Sequence, residues 1–408
     1  MTVSERPRRQ GRSASYDAIV VGARCAGSPT AMLLARRGYR VLVVDRATFP
    51  SDTVSSHVLQ PTAVAALSRW GLLNQLLATG CPPVHTYAYD FGPVVITGSP
   101  GNDQFPTAYC PRRTILDKLL VDAAAQAGAE IREGFAVEEI LFEDGRVTGI
   151  RGRTANGVRV TEHAQVIVGA DGWHSVVADA VQPERYHEKP PLLAAYYSYW
   201  SGLPMDGRFE IYIRPDSGFG AADTHSGLTL IIGGWSYADY AEKKRDVEGH
   251  FLEMVEQVPA FAERLRGATR EARYLGAALP NYFRKPYGPG WVLVGDAGYI
   301  KDSITAQGIA DAFHDAERCA RALDSYLSNP SSFADAMDTY QRLRDQHALP
   351  MYELTCQAAS LQPPSVEMQQ LLAAIQHDQT AMNRFVQMNT GTITPAEFFA
   401  TAVSRSER

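Results

Sequence analysis

Cysteine is scarce in this 408-residue chain and scattered where it occurs. Cys25, Cys81, Cys110, Cys319 and Cys356 form no C-x-x-C pair and stand near no histidine cluster. A disulfide framework and a metal site are therefore not expected, and a reducing, cytoplasmic setting fits. Basic charge is not in excess either. Subtracting 45 acidic from 39 basic residues leaves a net charge of −6, which argues against nucleic acid, since phosphate binding wants a basic surface. No stretch approaches the ~18 apolar residues of a membrane span, and no repeat of about 20–50 residues recurs. Residues 1–15 carry Arg6, Arg8, Arg9 and Arg12 but lack the apolar core of a signal peptide. They are expected to form a disordered arm.

What is present is enough apolar material for a sizeable core: 45% hydrophobic against 21% charged excludes a wholly disordered chain. At about 150 residues per domain, the length suggests two or three domains. The first informative segment is the apolar run Tyr16 to Val21, which enters Gly22-Ala23-Arg24-Cys25-Ala26-Gly27. A helix is expected from Ser28 to Arg37, then a second buried strand, Tyr39 to Val44, ending at Asp45. In such a strand–turn–helix–strand unit, Gly22 takes the tight turn and Gly27 lets helix and strand approach. The helix start offers free N–H groups to a pyrophosphate, and Asp45 stands where a carboxylate accepts ribose hydroxyls. Arg24 replaces the middle glycine of G-x-G-x-x-G, and its guanidinium is a candidate phosphate contact. Asp45 also disfavours a 2′-phosphate, so FAD or NAD is expected rather than NADP. Arg46, next to it, is expected to stack near the adenine or to be a solvated surface residue.

Two later segments repeat the pattern of apolar strand, glycine and aspartate. Ala164 to Gly169 runs into Ala170-Asp171-Gly172, and Trp291 to Val294 runs into Gly295-Asp296-Ala297-Gly298. Such an aspartate can accept hydrogen bonds from a polyol chain. After Asp296 comes a helix opening at Gly308 and Ile309, with an apolar face of Ile309, Ala312, Phe313, Ala316, Cys319, Ala320, Leu323 and Leu327. Its N-terminus would stabilise negative charge on a reduced flavin ring.

In this order the three motifs resemble those of flavoproteins with the p-hydroxybenzoate hydroxylase fold. That superfamily includes single-component aromatic monooxygenases, geranylgeranyl reductases and flavin-dependent halogenases. The resemblance runs from about Tyr16 to Leu327. It implies a mixed α/β protein in which a Rossmann-type FAD-binding domain joins an antiparallel-sheet substrate domain and a C-terminal helical segment. By the same resemblance, Gly22, Arg24, Ala26, Gly27 and Asp45 meet the FAD pyrophosphate and ribose. Asp171 belongs to the D-G motif linked to FAD and reduced pyridine nucleotide, and Asp296 binds the ribityl chain. Arg113, in Arg113-Thr114-Ile115-Leu116-Asp117, contacts FAD, and Val137 falls where the backbone meets the adenine.

The chain departs from the hydroxylase pattern G-D-A-A-H-x-x-x-P-x-x-G-Q-G, having Tyr299 for His, Ser303 for Pro and Ala306 for the first closing Gly. The form Gly295 to Tyr299, with Thr53-Val54-Ser55-Ser56-His57, looks closer to the geranylgeranyl reductase-like branch. The halogenase signature W-x-W-x-I-P is missing; Tyr199-Trp200-Ser201-Gly202-Leu203-Pro204 only echoes it.

The expected activity is an FAD-dependent monooxygenase using NAD(P)H and O2 to hydroxylate or epoxidise an aromatic or polycyclic small molecule. A flavin reductase of alkene bonds is the alternative, with a halogenase behind it. No second glycine-rich unit exists for the nicotinamide, which would bind only transiently.

The FAD-binding domain is expected over residues 16–80, 108–180 and 280–330. The substrate domain would take 81–107 and 181–279, and helices 331–408. Three strands, Leu193–Trp200, Arg208–Ile213 and Leu228–Gly234, are rich in β-branched and aromatic residues. Tyr197, Tyr199, Tyr212 and Trp235 are the candidates for stacking on a planar substrate. His57 is the candidate acid/base, since its ordinary pKa of ~6.5 suits neutral-pH proton transfer; Tyr299 is the second proton donor considered.

Overall fold

The computed structural model describes residues 16–329 and 333–406; the arm expected over residues 1–15 lies outside them. The apolar runs that the sequence marks as buried strands become neighbours in one sheet. Trp291–Leu293, Arg159–Gly169, Tyr16–Val21, Val41–Val44 and Glu130–Arg132 lie side by side and parallel. The register pairs Val20 with both Val43 and Val168, and Val168 with Val292.

These runs are apolar at every position because both faces of a parallel sheet are covered. Val20, Val43 and Val168 pack on one side with Met32, Leu116, Leu120 and Phe313. These come from the helices Gly27–Ala35, Arg113–Gln126 and Gly308–Ser328. Ile19, Leu42 and Ile167 pack on the other side with Phe135, Ile140, Val147 and Ile150, from the antiparallel hairpin Phe135–Glu143 and Arg146–Thr154. Parallel strands all finish at one edge. Gly22, Asp45, Asp171 and Asp296, which follow four of them, are thereby gathered along that edge, where open α/β sheets bind ligands.

The second sheet runs in the order Thr269–Arg270, Leu193–Ser201, Leu228–Ser236, Ser217–Asp223, Arg208–Arg214, Thr86–Asp90, Val95–Gly98. The three strands read from sequence are present, with a fourth between them. Ser217–Asp223 has the sequence SGFGAAD, too small and glycine-rich to signal a strand, yet the small residues are needed there. A Cβ on Gly220 would meet the Phe209 ring at 2.6 Å. The sheet is not wholly antiparallel, because Arg208–Arg214 runs parallel to Thr86–Asp90.

The pleat sends alternate residues to opposite faces. One face lies under the helices Val247–Glu256 and Pro259–Arg266, where Trp200, Phe219 and Ile231 meet Phe251 and Phe261. The other carries Tyr197 and Tyr199. Helices Phe333–Ala359, Val366–Ile375, Gln379–Asn389 and Pro395–Ser406 complete the chain. Gln379–Asn389 is tied to the second sheet, the Ser99 N–H donating to Asn383 Oδ1 at 3.0 Å. Among the described residues, no helix is long and apolar enough to cross a membrane.

Candidate active site

The edge where the parallel strands end is shaped by close backbone approach. Gly22 has φ of +100°, and a Cβ there would meet the Ala170 carbonyl oxygen at 2.4 Å. A Cβ on Gly27 would fall 1.8 Å from the Gly22 oxygen. Neither position admits a side chain without moving backbone, so the turn stays low and the helix Gly27–Ala35 starts directly behind it. Asp45 ties the turn to the second strand. Its Oδ2 accepts the Ala23 N–H and its Oδ1 the Ala47 N–H, both at 2.8 Å. Each oxygen keeps a further lone pair for a hydroxyl. The Phe135 N–H donates to the Asp45 carbonyl at 2.8 Å, which brings the strand holding Val137 alongside. Arg46 is exposed beside it.

Arg24 turns to protein partners. It donates to Asp117 Oδ2 at 2.5 Å, Ser51 Oγ at 2.7 Å, the Ser51 carbonyl at 3.3 Å and the Asp52 carbonyl at 3.2 Å. The expectation that its guanidinium faces a phosphate is corrected to this bridge between the glycine turn and the segment Ser51–Asp52. Arg113 grips the same buried Asp117 through Nε at 3.0 Å and Nη2 at 3.1 Å. Burial works against the Arg113 charge, but Asp117 outweighs it and its pKa is raised. Asp117 was legible as the last letter of the R-x-x-L-D motif, though the sequence reading gave it no role.

Asp171 accepts the Ser175 hydroxyl at 2.5 Å and the Val176 N–H at 2.7 Å. Burial raises its pKa against these bonds. Asp296, on the floor of the groove along this edge, is exposed to solvent. Desolvation and then Asp311 push its pKa up to about 6, with Lys301 and Arg113 pulling against them. Gly295 connects this floor to the first turn, since a Cβ there would lie 2.9 Å from the Ala26 Cβ.

Gly308 is exposed, and a Cβ on it would meet nothing within 4 Å, whereas Ile309 is buried. The N-terminus of the helix Gly308–Ser328 therefore opens onto free space. Ala306, where the resemblance expects glycine, has φ of +51°; the backbone keeps a glycine-like conformation without the glycine. A backbone cradle, a ribose-ready carboxylate, a solvent-reached aspartate and an open helix N-terminus along one edge fit FAD.

His57, Tyr197 and Tyr199 meet beside this groove. All three are buried, with ring centroids 5.1 Å, 5.7 Å and 5.8 Å apart. His57 Nδ1 lies 2.7 Å from the Ser55 carbonyl oxygen. A carbonyl has no proton to give, so Nδ1 carries the hydrogen. Nε2 then accepts, and the Tyr199 hydroxyl donates to it at 2.7 Å. Desolvation first, and the Arg113 charge second, hold the His57 pKa down at about 4, so the ring is neutral at physiological pH. Burial and the Asp52 charge push Tyr199 up to about 12. Arg112, which the sequence reading missed, lies with its guanidinium 4.7 Å from the Tyr199 ring centre.

The structure does not bring the other candidates to this cluster. Tyr299 is stacked on Phe283 at 4.8 Å in a separate core with Tyr352, and Lys301 donates to its hydroxyl at 3.3 Å. Lys301 is itself ion-paired with Asp311, and burial and Asp311 hold the Tyr299 hydroxyl well above its ordinary pKa. Tyr212 stacks on Phe219 at 4.8 Å and Trp235 on Tyr196 at 5.4 Å. Both belong to the helix-covered face of the second sheet, opposite Tyr197 and Tyr199. The assignment of Tyr212 and Trp235 to substrate stacking is corrected accordingly. The reason is the pleat: residues an odd number apart on a strand face opposite ways, and aromatic content alone does not say which face.

Residues 15–200 match the family described as "FAD binding domain". The chain is 24% identical over 351 residues to a tryptophan 2-halogenase of Chondromyces crocatus, covering 81% of this chain and 65% of that protein. It is 28% identical over 368 residues to the phenazine 1,6-dicarboxylic acid hydroxylase PhzS of Lysobacter antibioticus, covering 80% and 86%. Among solved structures, the flavin-dependent brominase Bmp2 superposes with a TM-score of 0.82 at 16% identity, over 96% of this chain and 99% of that one. The fold and groove define an FAD-dependent oxidoreductase. Over most of its length the chain is similar to FAD-dependent enzymes, hydroxylases and halogenases among them, and its fold is that of the flavin-dependent halogenases.

Proposed function

We propose that the protein is an FAD-dependent monooxygenase that takes electrons from NAD(P)H and inserts one atom of O2 into an aromatic or polycyclic small molecule. The observation that carries this reading is the buried trio of His57, Tyr197 and Tyr199 beside the cofactor groove. Bound FAD supplies the redox and oxygen chemistry; the chain supplies binding, orientation and exclusion of water. Arg113, Asp45, Asp171 and Asp296 would hold the cofactor, and the positive end of the helix at Gly308 would favour negative charge on it. Tyr197 and Tyr199 wall the pocket with apolar ring surface. Because the Tyr199 proton is committed to His57 Nε2, the Tyr199 oxygen is an acceptor, and the Arg112 side chain donates to it. Similarity to the hydroxylase PhzS supports the reading.

A halogenase is the second reading, favoured by similarity to the Chondromyces enzyme and to the brominase fold. Turnover with aromatic substrates, with and without bromide, separates them by product mass. The monooxygenase reading expects gain of one oxygen in both conditions. A brominated product establishes the halogenase, and a hydrogenated product formed without oxygen establishes an alkene reductase.

A further inference from the structure

Two consecutive arginines open the helix Arg113–Gln126, and they part company. Arg113 joins Asp117 on the cofactor side, where one carboxylate serves both Arg113 and Arg24. Arg112 turns to the second sheet, lies on the Tyr199 ring and hydrogen-bonds to the Tyr199 hydroxyl oxygen, which leaves its Nε over. Among the described residues, no carboxylate lies within ion-pair distance of it, and its Nε is buried without a hydrogen-bond partner. Its own backbone N–H is occupied, donating to His225 Nδ1 at 3.2 Å. Asp52, whose charge also acts on Tyr199, is exposed on its loop, with Oδ1 accepting the Thr53 N–H at 2.9 Å. A cation with a buried, unpartnered donor is costly to keep unless something anionic comes to it. The edge of a guanidinium that includes Nε carries two parallel donors and matches a carboxylate with two hydrogen bonds.

We infer that Arg112 is the anion-recognition residue of the reaction pocket and that the substrate presents a carboxylate to it. The ring carrying that carboxylate then lies along Tyr199, between the second sheet and the cofactor groove. The assignment rests on the reading of this cleft as the reaction pocket, but it makes a binding claim independent of oxygen chemistry.

The test uses the FAD-loaded enzyme and two probes of one shape, benzoate and benzamide. Binding is followed by perturbation of the flavin visible spectrum and by calorimetry. Benzoate should bind at least about tenfold more tightly than benzamide, and Arg112→Gln should remove that preference, lowering benzoate affinity about 10- to 100-fold. Arg112→Lys should keep part of it, as a point charge without the fork. Flavin content should stay at the wild-type level in both variants. Equal binding of the two probes, no binding of either, or a preference that survives Arg112→Gln would overturn the assignment. Loss of flavin in both variants would move Arg112 to the cofactor and overturn it too. Bromide that binds in place of benzoate, and is lost with Arg112→Gln, would assign a halide site instead. Equal binding of the two probes by an enzyme that still oxygenates substrate removes the Arg112 assignment alone. A preference kept in an enzyme that does not oxygenate removes only the monooxygenase reading.

Discussion

The cofactor groove and the proposed reaction pocket are neighbours built by opposite means. The groove is made where strands stop. Gly22, Asp45, Asp171 and Asp296 follow runs of Val, Ile and Leu that pair in register, and parallel pairing alone brings their ends together. The pocket is made where segments cross. His57 comes from a loop, Arg112 from the start of a helix, and Tyr197 and Tyr199 from a strand on which Tyr199 stands 142 residues after His57. The groove is secured by close backbone approach at Gly22 and Gly27, where no added atom is tolerated. The pocket is secured by side-chain hydrogen bonds and rings, and can change its chemistry without changing the fold.

The largest expected effect breaks the groove. Gly27→Ala places a Cβ against the Gly22 carbonyl oxygen, which should cost about 3 kcal/mol or more of stability and abolish flavin binding. Circular-dichroism melting and the yellow colour of the purified protein read the two losses. A yellow variant with wild-type melting would mean that the groove is not held by backbone contact.

The second effect is of similar size and belongs to the pocket. Unfolded, His57 takes up its proton near its ordinary value of 6.5; folded, at about 4. Between those values the unfolded chain holds more protons, so stability rises with pH. The contribution, on the order of 3 kcal/mol, is complete above about 6.5 and lost as the pH falls to about 4. His314, held down at about 3 by burial and His347, adds a slope of the same sign, so the His57 part is the difference between wild type and His57→Gln. Urea unfolding at pH 7 and pH 4.5 measures it. An unchanged slope in the variant would show that His57 titrates normally in the folded protein.

Asp45→Ala sharpens the comparison, since it removes a side-chain acceptor from the groove and leaves the pocket alone. FAD affinity should fall by about 1.5–3 kcal/mol, the range of a hydrogen bond to a charged group, and retention after dialysis measures it. Full retention would take the ribose role from Asp45. The smallest effect is expected on the far face. Tyr212→Phe removes only a hydroxyl that donates to Glu210 at 2.9 Å. It should cost at most about 1 kcal/mol and leave the KM for substrate unchanged. A raised KM would return Tyr212 to the pocket.

The same contrast explains what was legible in the sequence. Gly22, Gly27, Asp45, Asp171 and Asp296 announce themselves because each sits at a fixed step from an apolar run, and the run dictates where the residue goes. The helix at Gly308 is legible by its apolar period. The pocket has no such grammar. His57 stands out as a histidine near a motif, but its tautomer depends on the Ser55 carbonyl and its lowered pKa on burial, neither of which has a local signal. Tyr197 and Tyr199 look no different in sequence from Tyr212 and Trp235; only the pleat and the covering helices separate them. Ser217–Asp223 was missed because its small residues serve the rings beside them. Arg112 has no signal of its own beside Arg113, which carries the motif; only the folded chain shows Asp117 paired with Arg24 and Arg113 and not with Arg112.

The central claim, that this groove and pocket together carry out oxygenation, is tested most directly by the fate of labelled oxygen. Purified FAD-loaded enzyme is supplied with NAD(P)H, an aromatic carboxylate that it turns over and ¹⁸O₂, and the product is examined by mass spectrometry. The account predicts one ¹⁸O atom in the product, with none entering from labelled water under unlabelled oxygen. A product formed at the same rate without oxygen, or one that carries no label, would contradict it.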